Sequence, residues 1–322
     1  VVTATISVAL CAFNGARFVS EQLESIAAQS RPAREIIVSD DGSTDETPAL
    51  VDRFRGRSMI PVTILAGPRR GVTANFANAI SAARGDYVAL SDQDDVWHPD
   101  HLARLAASLD ADPRVLLVHS DARLVAEDGL PLGPGLVEAL RWRPDELRAA
   151  TSGDSFAALI RRNLVTGATA MFRRELAAPA LPIPPEWLHD EWLAIVAAAV
   201  GRTAFVPEQL LDYRQHGANQ VGARKRGVAE RAARIAEPRA HRLRLLADRS
   251  AALRERLTEL EVAESVTRLV AAKLEFERNR AQYPDSRLRR IAPVLRQWRS
   301  GDYARLSSQG SLDVLRDLLQ PA

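Results

Sequence analysis

Alternating strand and helix patterns predict an α/β protein with a mostly parallel sheet, flanking helices and a C-terminal helical extension. Three observations carry this. Short apolar runs recur between segments of helical period, the connections joining them are only a few residues long, and beyond about Ala229 the pattern is helical throughout.

Ile6 to Leu10 reads as the first strand, followed by a helix with Phe18, Leu23 and Ile26 on its apolar face. Glu35 to Val38 is the second strand. Ser43 and Glu46 then form a Ser-x-x-Glu pattern that predicts a capped helix start. Val62 to Leu65 is the third strand, and a helix over Ala74 to Ala83 stops near Gly85. Tyr87 to Leu90 is the fourth. Pro99 suits the first turn of a helix on which Leu102, Leu105 and Leu109 share a face, and Val115 to His119 is the fifth strand. These elements place the α/β domain at residues 1–222, with halves 1–121 and 122–222, and the helical region at 223–322. In that region Leu243, Leu246, Leu253, Leu257 and Leu260 form a seam interrupted by Ser250. Fewer than three heptads favours a helical hairpin packed on the main domain over a dimerising coiled coil.

The 322 residues are 46% hydrophobic, enough for one large domain with an appendage. A net charge of +2 is too small to indicate a nucleic-acid partner. Its distribution says more, because basic residues exceed acidic ones by about ten between Gly222 and Ser300, which leaves the preceding part acidic. The single cysteine, Cys11, excludes an intramolecular disulfide and suggests a reducing, cytoplasmic compartment. No stretch approaches the roughly twenty apolar residues of a membrane span. The chain starts Val1-Val2, and nothing there reads as a signal peptide, although a leader could have been removed.

Three polar clusters follow predicted parallel strands: Ala12-Phe13-Asn14, Asp40-Asp41-Gly42-Ser43 and Asp92-Gln93-Asp94-Asp95. Ligands of such sheets bind beyond the carboxyl ends of the strands, so all three meet at one edge. Carboxylates gathered there repel one another unless a cation neutralises them. Oxygen ligands of this type suit Mg2+ or Mn2+, which complete their shells with substrate phosphates. The bland alternative is that each Asp caps a helix or shapes a turn.

These segments, with Gly85-Asp86-Tyr87 and Val96-Trp97, resemble family 2 of the glycosyltransferases, and most nearly its rhamnosyltransferase-like bacterial members. The resemblance runs from about Thr5 to Gly222. It implies a GT-A fold, with a nucleotide-binding half and an acceptor-binding half. It also implies inverting transfer of a sugar from a dTDP- or UDP-linked donor, dTDP-rhamnose among them. The acceptor would be a hydroxyl of a saccharide or lipid-linked molecule in bacterial cell-surface polysaccharide synthesis. Position by position, Asp41 matches the acid that bonds the base, and Ala12 and Asn14 line the same pocket. Asp92 contacts the ribose or a metal-bound water, and Asp94 is the direct metal ligand. Asn75 stands where many relatives have an arginine nearby, as a donor to the nucleotide. Gly167 lies beneath the donor sugar. Asp190 matches the catalytic base, with Glu191 the alternative. In Tyr213 to Gln220, His216 approaches the metal or diphosphate and Arg214 neutralises the leaving group. Trp97 and Trp192 are open to two readings, stacking on sugar or packing.

Two rivals remain at this stage. A sugar nucleotidyltransferase typically opens with a glycine-rich loop ending in a basic residue, and Cys11 to Arg17 lacks that richness. A degenerate homologue would bind nucleotide sugar without turnover. The basic tail has two readings as well: a solvated face, or peripheral association with an anionic membrane through Arg287, Arg289, Arg290, Arg296 and Arg299. No clear amphipathic, Trp-anchored stretch stands out there in the sequence.

Overall fold

The computed structural model describes residues 3–216 and 238–321, which form two compact units, 3–155 with 164–216 and 156–163 with 238–321. The predicted boundary at residue 222, the end of the Tyr213 to Gln220 segment beyond His216, and the helical pattern before Pro238 lie outside the described residues.

The larger unit is built on β1 (Ile6–Ala12), β2 (Glu35–Asp40), β3 (Val62–Ala66) and β4 (Tyr87–Asp92), parallel to one another in the order β3-β2-β1-β4. Every residue of β1 is buried, because helices cover both faces of the sheet's centre. The helices between these strands are α1 (Val19–Ala27), α2 (Thr47–Arg57) and α3 (Val72–Ala82), and α4 (His101–Ala111) follows. Leu102, Leu105 and Leu109 of α4 are fully buried, as their spacing predicts, while Pro99 lies just ahead of the helix.

Beyond β4 the sheet is mixed rather than mostly parallel. The predicted fifth strand opens a longer one. With β5 (Val96–Trp97) preceding it, β6 (Val115–Ala126) runs parallel to β9 (Arg202–Gln215) and antiparallel to β7 (Pro131–Gly135) and β8 (Ala170–Arg173). β8 joins the halves by pairing antiparallel with β4 as well. A further helix (His189–Val200) precedes β9.

The Ser43–Glu46 capping box does not form. The helix begins at Thr47, and the Ser43 hydroxyl instead accepts the Asn14 N–H at 2.8 Å. Asp45 takes over the local role, its Oδ1 accepting from Thr47 N at 3.0 Å. Trp97 stacks on His101 inside the core, and Trp192 is fully buried with Nε1 donating to Ala180 O, so both pack rather than face a ligand.

The smaller unit contains a helical hairpin, Arg239–Thr258 and Glu264–Ala281, in which Leu243, Leu253 and Leu257 are buried. Three further helices follow, Arg287–Arg299, Asp302–Leu306 and Ser311–Leu319. They close over Phe276, Tyr283, Val294, Tyr303 and Leu306. Inside lies an ion network. Arg280, 1% exposed, donates to both oxygens of Asp317 at 2.6 and 3.1 Å and to Glu277 at 2.8 Å, and Tyr303 donates to Asp317 at 2.8 Å. Arg290 belongs to this interior and not to the basic surface predicted for it. It is fully buried, donating to Asp317 O at 3.0 Å and Gln320 O at 2.9 Å, where it satisfies carbonyls at a helix end. Removing one member of a buried ion pair strands its partner without water. Asp317→Ala is expected to destabilise this unit by ~3–5 kcal/mol, read as an earlier urea transition by far-UV circular dichroism.

Candidate functional site

The carboxyl ends of β1, β2 and β4 lie side by side, with Cys11 opposite Asp92 and Ala12 opposite Asp40 in register. The loops leaving these strands are cross-tied through side chains. Asn14 adopts a left-handed conformation (φ 50°), which asparagine tolerates better than most residues, and its Oδ1 accepts from Thr44 N at 2.8 Å. Gln93 grips the first loop, accepting from Phe13 N at 2.8 Å and donating to Phe13 O at 3.0 Å. Gly15 is required by this grip, since a Cβ there would lie 2.0 Å from the Gln93 amide oxygen.

Asp41 receives two backbone donors, Arg69 N at 2.6 Å and Gly71 N at 2.9 Å, and so fixes the loop between β3 and α3. Its neighbour Asp40 closes a turn by accepting from Gly42 N and Ser43 N. The Ala12 carbonyl accepts from Asp41 N at 2.9 Å, joining the first two clusters. Asn75 is buried beneath them. Its Nδ2 donates to Ser39 O at 2.8 Å and its Oδ1 accepts from Ser39 Oγ at 2.6 Å, so its amide supports the end of β2 instead of reaching for a ligand.

Negative charge concentrates at the third cluster. Burial, with the charges of Asp94 and Asp190, raises the Asp92 pKa to about 8. Burial also raises Asp95, helped by Asp94 and Asp92 and opposed by Arg214. Asp95 Oδ1 accepts from Arg214 N at 3.0 Å, while Oδ2 is buried without a hydrogen bond among the described residues. The same four carboxylates add to burial in raising the Tyr213 hydroxyl.

The Arg214 guanidinium faces inward, not toward a leaving group. It is 4% exposed, and its nitrogens donate to Asp94 O (2.9 Å), Glu127 O (2.9 Å) and Glu21 Oε2 (2.7 Å). The residue therefore binds the end of β9 to the Asp94 loop. Two residues on, His216 stacks on Phe18 and places Nε2 2.7 Å from Asp94 Oδ2. Among the described residues no group of three metal-binding side chains forms, so Asp94 and His216 stand as a pair.

Asp190 comes to the same edge on the first turn of His189–Val200. Its Oδ2 accepts from Gly167 N at 3.1 Å and its Oδ1 from Glu191 N at 2.7 Å. Glu191 is half-buried beside it. His189, the residue before Asp190, stacks on Phe76 at 3.9 Å, and burial lowers its pKa to about 3, leaving a neutral ring. Gly167 leaves room for that ring, since a Cβ would lie 2.8 Å from its Nε2. The close approach expected of Gly167 is thus made to an imidazole. Gly167→Ala should push His189 off Phe76 and turn Asp190 with it, at ~1–3 kcal/mol in urea unfolding. Loss of any activity should exceed what that destabilisation alone produces at room temperature.

Sequence reasoning missed Gln93, His189, Glu21 and Glu127. The glycines at 15 and 167 were the available signals for the first two, for each marks a side chain pressed against backbone.

The arrangement is a sheet edge that carries a carboxylate–imidazole pair and a helix-borne acid. The family model described as glycosyl transferase family 2 matches residues 7–178, more than half of the chain, and the chain belongs to that family. An uncharacterized protein of Mycobacterium tuberculosis is 32% identical over 216 residues, covering 65% of this chain and 58% of the relative. The chain thus spans less than two thirds of that relative's length. Among solved structures, S. aureus TarS in complex with UDP-GlcNAc superposes with a TM-score of 0.59 at 16% identity, covering 93% of this chain and 82% of the other. The mannosyltransferase PcManGT of Pyrobaculum calidifontis, in complex with GDP-Man and Mn2+, gives 0.56 at 19% identity, covering 98% and 84%. These likenesses are of the GT-A fold.

Proposed function

We propose that the chain transfers a sugar from a nucleoside diphosphate to an acceptor hydroxyl with inversion, and that it uses a divalent cation. The observation that supports this best is that Asp190, accepting from Gly167 N at the head of β8, lies beside β4, whose carboxyl end carries Asp92 and leads to Asp94. The family membership and the nucleotide sugars held by the two solved proteins of like fold point the same way.

A cation fits the donors present. Asp94 Oδ2 and His216 Nε2 lie 2.7 Å apart, offering one hard and one borderline ligand at a single point, and the crowded carboxylates behind them favour positive charge. Two protein ligands leave room for phosphate oxygens, as Mg2+ and Mn2+ prefer. When bound, the ion would neutralise charge gathering on the departing diphosphate.

The other roles follow from chemistry. Asp41 offers its remaining lone pairs to the imide N–H of a uracil or thymine base, while Ala12 and Asn14 shape that pocket. Asp92 binds the ribose or a metal-bound water. Gly167 lines the donor-sugar side, and Asn75 and Arg214 act as positioning residues. Asp190 accepts the proton of the attacking hydroxyl. Its two N–H donors hold the carboxylate in place for a proton transfer late in the displacement. The motif resemblance favours dTDP-rhamnose as donor ahead of UDP-hexoses, and a saccharide or lipid-linked acceptor of cell-surface polysaccharide synthesis.

Binding of dTDP, UDP and their sugars with Mn2+, Mg2+ or EDTA, followed by calorimetry, tests the site. Asp94→Ala is expected to abolish the metal-dependent part of binding. Asp190→Asn should bind donor within about twofold of the parent and lose roughly 10²–10⁴ in kcat, the usual worth of a general base. Equal donor affinity with and without metal, together with an active Asp190→Asn protein, would sink the assignment.

A further inference from the structure

The helices Arg287–Arg299 and Ser311–Leu319 carry apolar side chains that no described residue of their own unit covers. Leu288 is 80% exposed and Trp298 53%, and Ile291 lies between them at helical spacing. Val294 and Arg290 occupy the adjoining, buried face. On the second helix Leu312, Leu315 and Leu319 are each at least half exposed, whereas Asp313, Val314 and Asp317 point inward. The two helices are locked together, because Arg290 of the first donates to the Asp317 and Gln320 carbonyls at the end of the second.

The charged residues exposed on these two helices have one sign, and Asp285, exposed just before the first, is paired with Arg239. Arg287–Arg299 contains no acidic residue, and its Arg287, Arg289, Arg296 and Arg299 are exposed. Both acids of Ser311–Leu319 are spent in the interior, at 1% and 0% exposure. What remains outside is leucine, isoleucine and tryptophan ringed by guanidinium groups, with an apolar stripe ~15 Å long on the first helix alone.

We propose that this pair of helices is a docking surface for an anionic lipid bilayer, lying in the plane of the headgroups. Charge complementarity selects that occupant. A second copy would bring an equally cationic rim against this one, whereas an anionic surface attracts the rim and accepts the apolar stripe beneath it. Tryptophan at the end of the stripe suits the headgroup level, and arginine stems reach from the apolar layer to phosphate. The amphipathic, Trp-anchored stretch not evident in the sequence emerges once buried Arg290 is taken out of the polar face. The inference goes beyond sugar transfer and stands whether or not the other unit is active.

The test is co-sedimentation of the whole chain with vesicles of phosphatidylcholine alone, or of phosphatidylcholine with about one third phosphatidylglycerol, which supply the charge a basic face needs. Retention on the anionic vesicles should be at least ~10-fold stronger, and should fall ~10-fold on raising salt from about 0.05 to 0.5 M. The triple variant Leu288→Ser, Leu312→Ser, Leu315→Ser should lose ~10-fold of the low-salt binding while keeping its circular dichroism spectrum, as surface substitutions allow. A second variant, Arg289→Gln with Arg299→Gln, should flatten the salt dependence with the apolar stripe intact. Failure to bind anionic vesicles, or binding that the triple variant leaves unchanged, overturns the proposal. So does a dimer in lipid-free solution that the triple variant dissociates, or capture by polyglutamate resin in place of vesicles, which would name a second copy or an acidic protein as the occupant.

Discussion

Asp92, Asp94 and Asp95 fall within four consecutive positions, and desolvation and mutual repulsion raise the proton affinity of Asp92 and Asp95. Repulsion among them is the constraint around which the larger unit is arranged. Arg214 is the cation that opposes it from inside, through its own N–H to Asp95 and its guanidinium to the Asp94 carbonyl. Because Arg214 ends the long strand β9, the same contact brings His216 to Asp94 from the far side of the sheet. The end of β9 is therefore tied to the loop after β4 by electrostatics at the place where the chemistry is proposed.

The remainder of the site is held by backbone. Asp41, Asp40 and Asp190 each receive two main-chain N–H groups, so the loops are fixed by their own acids before any ligand arrives. Such donors keep carboxylates oriented, and little reorganisation is then left for the moment of binding. Gly15 and Gly167 complete this by admitting Gln93 and His189 to within contact of the backbone.

The sheet's first four strands and the buried face of α4 were legible because period and apolarity are local properties, read within a few residues. The gathering of three clusters at one edge followed from strand direction alone. What escaped was long-range pairing. Gln93 meets Phe13 across 80 positions and Arg214 meets Glu21 across 193; Gly15 signals a close approach without naming its partner, and no local pattern marks the second pair. The Ser43–Glu46 pattern failed for the same reason, since a distant Asn14 N–H claimed the hydroxyl first. Arg290 was misplaced on the surface because an arginine in a basic run looks solvated unless the helix end it serves is known.

The division of charge in the smaller unit has a consequence of its own. Its last two long helices keep their acids inside, and the charged group they show outside is guanidinium, which proteins do not deprotonate. The sign of that face is consequently fixed across the acid and alkaline range in which histidine-bearing surfaces switch. Dissolved ions alone set how far its field extends, so the surface reports the ionic strength around it and is blind to acidity.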